Sequence, residues 1–241
     1  MSLAKFWTEL NDATIGSPRY WDIAIQNRSI WLELAPIIAA HAAGEILDIG
    51  AGRLAWRGAL RASAVTYTSA DMIRSHPELD VVADLTGELP WPTASFDTLF
   101  CCSVLEHLLD FDRALAEMHR ILRPGGKLIL SVPFLYYRHG DPYDYFRFTG
   151  YALKELARRH AFDLLKIEST GGPGEIVINP ASIFLNVVWY RLGLSVLISP
   201  TTRLLTVLSG WLDRKLDRDH RYATNHIAVM VKRERAEGRS S

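Results

Sequence analysis

Two cysteines in 241 residues are too few for a disulfide framework, and these two, Cys101 and Cys102, stand side by side in an apolar run. That excludes a cross-linked secreted scaffold and points to a reducing compartment. An excess of either charge sign is also lacking, since Lys plus Arg and Asp plus Glu each number 27. No global positive field therefore favours nucleic acid. Long apolar runs are missing as well. The N-terminal MSLAKFWTEL has no signal-peptide core, and Asn186 and Arg191 interrupt an apolar run near the C-terminus. A cytoplasmic location is expected, and no internal repeat is visible.

What is present is organised around Glu45 to Leu54, EILDIGAGRL. A short apolar run leads into Asp48, then Gly50 and Gly52, and a helix-permissive run follows from Arg53 to Arg61. This order reads as a buried strand, a tight glycine turn and a helix start. Glycine lets the backbone approach a ligand, and a helix start offers unpaired N–H groups, so a nucleotide-like cofactor is expected there.

Residues 1–18 read as a loosely packed arm ending at Gly16-Ser17-Pro18, and Arg19 to Ala43 as a helix that Pro36 kinks or restarts. Strands are expected at Ala64 to Ser69 (ending in Ala70-Asp71), at Val81-Val82 (closing at Asp84) and at Phe96 to Cys102. A helix over Asp110 to Leu122, a turn at Arg123 to Gly126 and a strand at Lys127 to Val132 follow. Residues 133–148 are too aromatic, and too broken by Gly and Pro, for a regular element. Thr149 caps a helix to about His160, and Phe162 to Ser169 and His226 to Val231 read as strands. Alternating strands and helices imply an α/β fold, doubly wound around a mostly parallel sheet, with ligands at the carboxyl ends of the strands. Gly50, Asp71, Asp84 and Ser103 all fall there.

Asp71, about twenty residues past the glycine turn, suits a ribose-binding pocket, because an acid there accepts bonds from both ribose hydroxyls. Gly50, Gly52 and Ala55 also satisfy G-x-G-x-x-A, which keeps an NAD-dependent oxidoreductase open. Cys101 and Cys102 read as strand packing rather than nucleophiles. In RHGDPYDYFRFT, Tyr143, Tyr145 and Arg147 are candidates to stack on and hydrogen-bond an acceptor, against a loop held by its own Arg147 pairing with Asp144 or Asp141.

Three runs, ILDIGAGRL, TSADM and the stretch from VVADLTGELPW through VLEHLLDF to LRPGGKLILSVP, together resemble the class I S-adenosylmethionine-dependent methyltransferases, close to the type 11 methyltransferase domain, over about residues 44–133. The resemblance implies a Rossmann-like, seven-stranded sheet with its last strand antiparallel. It implies S-adenosylmethionine as cofactor, with Asp48 and the Gly50-Ala51-Gly52 backbone around its methionine end. Asp71 would hold the ribose, with Met72 beside it among the cofactor-binding residues, Asp84 and the Leu85 backbone would meet the adenine, and Ser103 the methionine part. Where the family often has a third glycine this chain has Leu54, and Arg53 before it is a candidate partner for the cofactor carboxylate. Glu106 and His107 lie in the family's LEHL signature. His107, His139 and Asp141 are the candidate bases for methyl transfer to a small-molecule, saccharide or lipid-linked acceptor, at oxygen. A catalytically silent S-adenosylmethionine-binding partner protein is the other reading, and no metal is expected.

The resulting division is an N-terminal arm and helix over 1–43, a methyltransferase core over 44–175, a helical insertion over 176–222, a last core strand over 223–232 and a disordered tail over 233–241. The insertion holds two apolar helical runs, Ala181 to Ile198 and Thr201 to Leu216, split at Ser199-Pro200. From Pro200 onward nine basic residues face five acidic ones, about +4. The apolar faces suit a lid over the acceptor, a homodimer surface or a helix lying on an anionic membrane.

Overall fold

The computed structural model describes residues 3–234. Seven strands form one sheet: β1 (Gly44–Ile49), β2 (Ala64–Asp71), β3 (Val81–Val82), β4 (Phe96–Cys102), β5 (Leu122–Pro133), β6 (Phe162–Thr170) and β7 (Asn225–Lys232). Their order is β3-β2-β1-β4-β5-β7-β6. β1 pairs in parallel with β2 and β4, and β4 with β5, whereas β7 runs antiparallel to both β5 and β6. Strand order reverses between β1 and β4, and a doubly wound sheet opens its ligand crevice at that switch point.

Period-two alternation divides the core into two layers. Leu47, Leu99, Cys101, Leu128 and Leu130 face α4 (Phe111–Ile121) and α5 (Gly150–Arg159), where they pack around Leu115, Met118 and Leu153. Ile46, Phe100, Ile129 and Val229 face α2 (Ile25–His41) and α3 (Arg57–Arg61), packing with Leu34, Ile38, Trp56 and Leu60. Trp21, Trp31 and Trp56 stack with centroids 4.3 to 5.6 Å apart, above Phe100. Both expected caps form: Asp110 accepts from Arg113 N at 3.0 Å and Thr149 from Ala152 N at 3.1 Å.

Four features differ from the sequence reading. The arm is a helix, α1 (Leu3–Thr14), because Leu10 is buried against Ile23 and Ile198. Pro36 lies inside an unbroken α2, and a 3₁₀ turn over Pro18–Asp22 precedes it. β5 includes the Arg123 to Gly126 turn as a bulge: Phe96 pairs with Leu122 and Thr98 already with Lys127. The insertion starts earlier, with α6 (Pro173–Arg191), and turns into α7 (Ile198–Leu216) across a 3₁₀ turn at Ser195–Leu197. Pro173 and Pro200 each sit in a first helical turn, where a missing N–H costs nothing. The tail residues 235–241 lie outside the described residues.

α6 and α7 pack on α1 and α2. α2 starts at Ala24 without a side-chain cap of its own, and α6 supplies one. Ile25 N donates to Ser182 Oγ at 3.4 Å and Gln26 N to Asn179 Oδ1 at 3.3 Å. Buried Asn186 donates to Ile23 O at 2.9 Å and Thr202 Oγ1 at 2.7 Å, and Asp22 pairs with both Arg28 and Arg203. The insertion thereby fixes the segment that carries Gln26 and Asn27.

Candidate active site

The chain leaves β1 through Gly50 at φ +74° and Gly52 at φ +51°, and Leu54 at φ +62° completes the turn without a third glycine. A side chain on Gly50 would overlap Val104, and one on Gly52 would enter open space. Gly50 N and Ala51 N both donate to Ala70 O, at 2.8 and 3.0 Å. Gly52 N donates to Asp71 Oδ2 at 2.8 Å, and Ile73 N to Asp71 Oδ1 at 3.1 Å. The acid at the end of β2 thus pins the glycine turn at the end of β1. Ser103, just past β4, sits at φ +55° and donates its N–H to Ser131 O at 2.9 Å. Such backbone in a non-glycine residue concentrates at functional sites.

Two clefts open on either side of this turn and share Gly50, Gly52 and Ser103. The first, ≈ 560 Å³, takes Asp71, Met72, Asp84 and Leu85 on one side and Leu108, Tyr143 and Tyr145 on the other. Among the described residues, neither Lys nor Arg lines it. Asp84 holds Thr86 N and Oγ1 through Oδ1 alone, each at 2.8 Å. Acids without cations suit a hydroxyl- and amine-bearing nucleoside and give no grip on a pyrophosphate.

The second cleft, ≈ 290 Å³, is walled by Tyr20, Trp21, Trp56 and Tyr136, with Gln26, Asn27, Arg53, Ser103, His139 and Asn225 among its polar groups. Burial, the largest effect, pushes the Tyr20 hydroxyl and the Cys102 thiol up to about 12 and raises the Cys101 thiol as well. Those shifts favour the protonated thiols.

The structure brings Gly50, Gly52, Asp71, Met72, Asp84, Leu85 and Ser103 together in the first cleft. Ala51 and Arg53 line the second, but Arg53 is salt-bridged to Asp12 of α1. Asp48 lines neither cleft. It is 3% exposed and accepts from the Tyr67 hydroxyl at 2.8 Å, and burial raises its carboxyl to about 7 despite that bond. Asp141 is also absent from both clefts, because it pairs with Arg138 at 2.9 Å on the exposed rim.

Tyr143 and Tyr145 wall the nucleoside cleft rather than the aromatic chamber. Arg147 is turned inward. It binds Asp144 at 2.5 and 2.8 Å and also donates to Phe146 O at 2.7 Å and Tyr137 O at 3.3 Å. That guanidinium holds the Asp144 carboxyl well below the usual carboxylate range. Asp144 in turn accepts His139 N at 2.9 Å, so the pair shapes the loop that presents His139.

Glu106 is the residue to which sequence reasoning gave no role. Its place in a 3₁₀ turn, Leu105–His107, buries its carboxyl completely, and neither oxygen accepts a hydrogen bond among the described residues. His107, from the nucleoside cleft, and His139, from the chamber, converge on it. Only the LEHL run hinted at this, since His139 arrives from a separate loop.

The methyltransferase-domain family matches residues 47–130. A demethylmenaquinone methyltransferase of Deinococcus radiodurans is 32% identical over 107 residues, 38% of this chain and 44% of that protein. A 27-O-demethylrifamycin SV methyltransferase of Amycolatopsis mediterranei is 30% identical over 113 residues, 41% of this chain and 42% of that protein. The matched segment thus spans less than half of each relative's own length. The solved Haemonchus contortus phosphoethanolamine N-methyltransferase 2 in complex with S-adenosyl-L-methionine shares the fold at TM-score 0.57 and 16% identity, covering 95% of this chain and 60% of that one. Residues 47–130 are thus matched by the methyltransferase-domain family, and the strand order and the acidic cleft at the strand ends are similar to those of a class I S-adenosylmethionine-dependent methyltransferase.

Proposed function

We propose that this protein transfers the methyl group of S-adenosylmethionine to an oxygen of a small-molecule, saccharide or lipid-linked acceptor. The observation that carries this reading is the shared wall. The acidic nucleoside cleft and the aromatic chamber meet at Gly50, Gly52 and Ser103, so a donor in one lies beside an acceptor in the other. Asp71 and Met72 would take the ribose, Asp84 and Leu85 the adenine, and Ser103 with the glycine turn the methionine end. The sulfonium supplies an electrophilic methyl carbon.

The chain's own residues then align and exclude water. Tyr20, Trp21 and Tyr136 hold the acceptor against the shared wall, where alignment is the main source of rate. Gln26, Asn27 and Asn225 orient its polar groups, and His139 is the group in the chamber able to take the hydroxyl proton. The acceptor oxygen gains the carbon, the acceptor proton leaves, and the electrons of the broken carbon–sulfur bond stay on sulfur. The relatives named for demethylmenaquinone and 27-O-demethylrifamycin SV support a small-molecule acceptor.

No residue of α6 or α7 is among those lining either cleft. Val207, Leu204, Leu208 and Trp211 are instead exposed on α7, followed by Arg214, Lys215 and Arg218. This face is read as resting on an anionic lipid surface; no helix among the described residues is long and apolar enough to cross a membrane.

The test is incubation of the protein with methyl-labelled S-adenosylmethionine and fractionated cell metabolites. Label is expected in a small-molecule product. Cofactor binding with no labelled product from any fraction would make the protein a silent binder instead.

A further inference from the structure

A carboxylate oxygen and two imidazole nitrogens converge at the partition between the two clefts. Glu106 Oε1 lies 3.4 Å from His139 Nε2 and 3.7 Å from His107 Nε2. His107 Nδ1 is 2.7 Å from Tyr143 O, and a carbonyl only accepts, so Nδ1 carries a proton and in the neutral ring Nε2 keeps its lone pair. His139 Nδ1 likewise faces Tyr137 O at 3.3 Å and Asp144 Oδ2 at 3.6 Å. The Glu106 carboxylate is 0% exposed and has no hydrogen-bond partner among the described residues. A buried carboxylate beside two imidazole lone pairs is unfavourable unless a positive charge sits among them.

We propose that Glu106, His107 and His139 bind a divalent transition-metal ion of the zinc class. Their ligand atoms all lie within 4.8 Å of one another. First-shell bonds of about 2.0 to 2.1 Å at tetrahedral angles put ligand atoms roughly 3.3 Å apart, near the two separations to Glu106. Two imidazoles and one carboxylate select a borderline metal over Mg²⁺ or Ca²⁺, which favour oxygen ligands.

The supporting contacts are those of a built metal site, in which each imidazole donates its other N–H to a carbonyl or carboxylate. Gly140 at φ +68° lets the loop close against the His107 ring, which a side chain there would strike. Glu106 O accepts Tyr145 N at 3.0 Å and Phe146 N at 3.2 Å, tying that loop to the turn that carries His107. Arg147 and Asp144 fix the start of the same loop at His139.

Three protein ligands leave at least one position on such an ion for an outside group. His139 borders the chamber, so a role follows that rests on the methyl-transfer reading: the ion would bind the acceptor hydroxyl and favour loss of its proton to water, taking over from His139, which as a ligand no longer serves as the base. The site itself is independent of that reading.

The experiment is calorimetric titration of Zn²⁺ into chelator-treated full-length protein, repeated with Mg²⁺ and with Co²⁺ followed by its visible absorption. One Zn²⁺ per chain is expected, with affinity at least 100-fold weaker in His107→Gln and His139→Gln and unchanged in the surface control His76→Ala. Thermal melts establish that each variant is folded. Absence of Zn²⁺ binding, or equal binding by the folded His variants, would overturn the metal site and leave a protonated histidine as the charge beside Glu106. S-adenosylmethionine affinity measured on the same samples separates that failure from failure of the cofactor assignment.

Discussion

The backbone N–H of Gly52 donates to the carboxylate of Asp71 at 2.8 Å, joining the glycine turn after β1 to the acid at the end of β2. One carboxylate thereby shapes the turn and keeps acceptor capacity for a ribose. Asp71→Ala is expected to weaken S-adenosylmethionine binding by roughly 1–3 kcal/mol through lost charge-assisted hydrogen bonds. Circular dichroism should show an intact sheet. Unchanged affinity by calorimetry would remove Asp71 from the site.

Asp48 gives the fold a pH dependence of unusual sign. Its carboxyl is raised from 3.8 to about 7 by burial, so between those values the native state holds a proton that the unfolded chain has lost. Stability from this group therefore falls as pH rises from about 4 to 7 and is level above, with a ceiling of about 4 kcal/mol. The unfolding free energy of the wild type relative to Asp48→Asn should decline across that window. A difference that is flat or rises with pH would contradict the assignment.

Arg147 is held within its own loop by Asp144 and by the carbonyls of Phe146 and Tyr137. Arg147→Ala leaves Asp144 without its ion pair and frees the carbonyls of Tyr137 and Phe146. A melting temperature lower by several degrees and faster proteolysis within residues 134–146 are expected, on the scale of a broken hydrogen-bonded pair. An unchanged melt with a higher acceptor KM would place Arg147 against the acceptor after all.

The α7 face is tested with vesicles. Co-sedimentation with anionic but not neutral liposomes is expected, reduced by salt and by Trp211→Ala. No sedimentation with either lipid would leave that face to a lid or to a second copy of the chain.

Local rules made much of the fold legible. The glycine turn, the strand ends at Asp71 and Cys102 and the caps Asp110 and Thr149 each depend on neighbours in sequence. Legibility failed where burial depends on distant partners. α1 is ordered by Leu10 meeting Ile198, and α2 is capped by Ser182 and Asn179. At the site, strand-end logic brought Gly50, Asp71, Asp84 and Ser103 to one cleft, because topology alone carries those residues there. It did not reveal that Asp48 turns to Tyr67, that Asp141 stays on the rim with Arg138 or that His139 meets Glu106. Those outcomes depend on how the loop over 133–148 closes, which Arg147 and Gly140 determine from within.

The most direct test of the central claim is calorimetric titration of the wild-type protein with S-adenosylmethionine and, separately, with NADH. Saturable one-to-one binding of S-adenosylmethionine, weakened in Asp71→Ala, with no heat from NADH, is the result expected from a cleft bearing Asp71 and Asp84 and no Lys or Arg. Binding of NADH without S-adenosylmethionine would contradict it and return the glycine turn to a dehydrogenase.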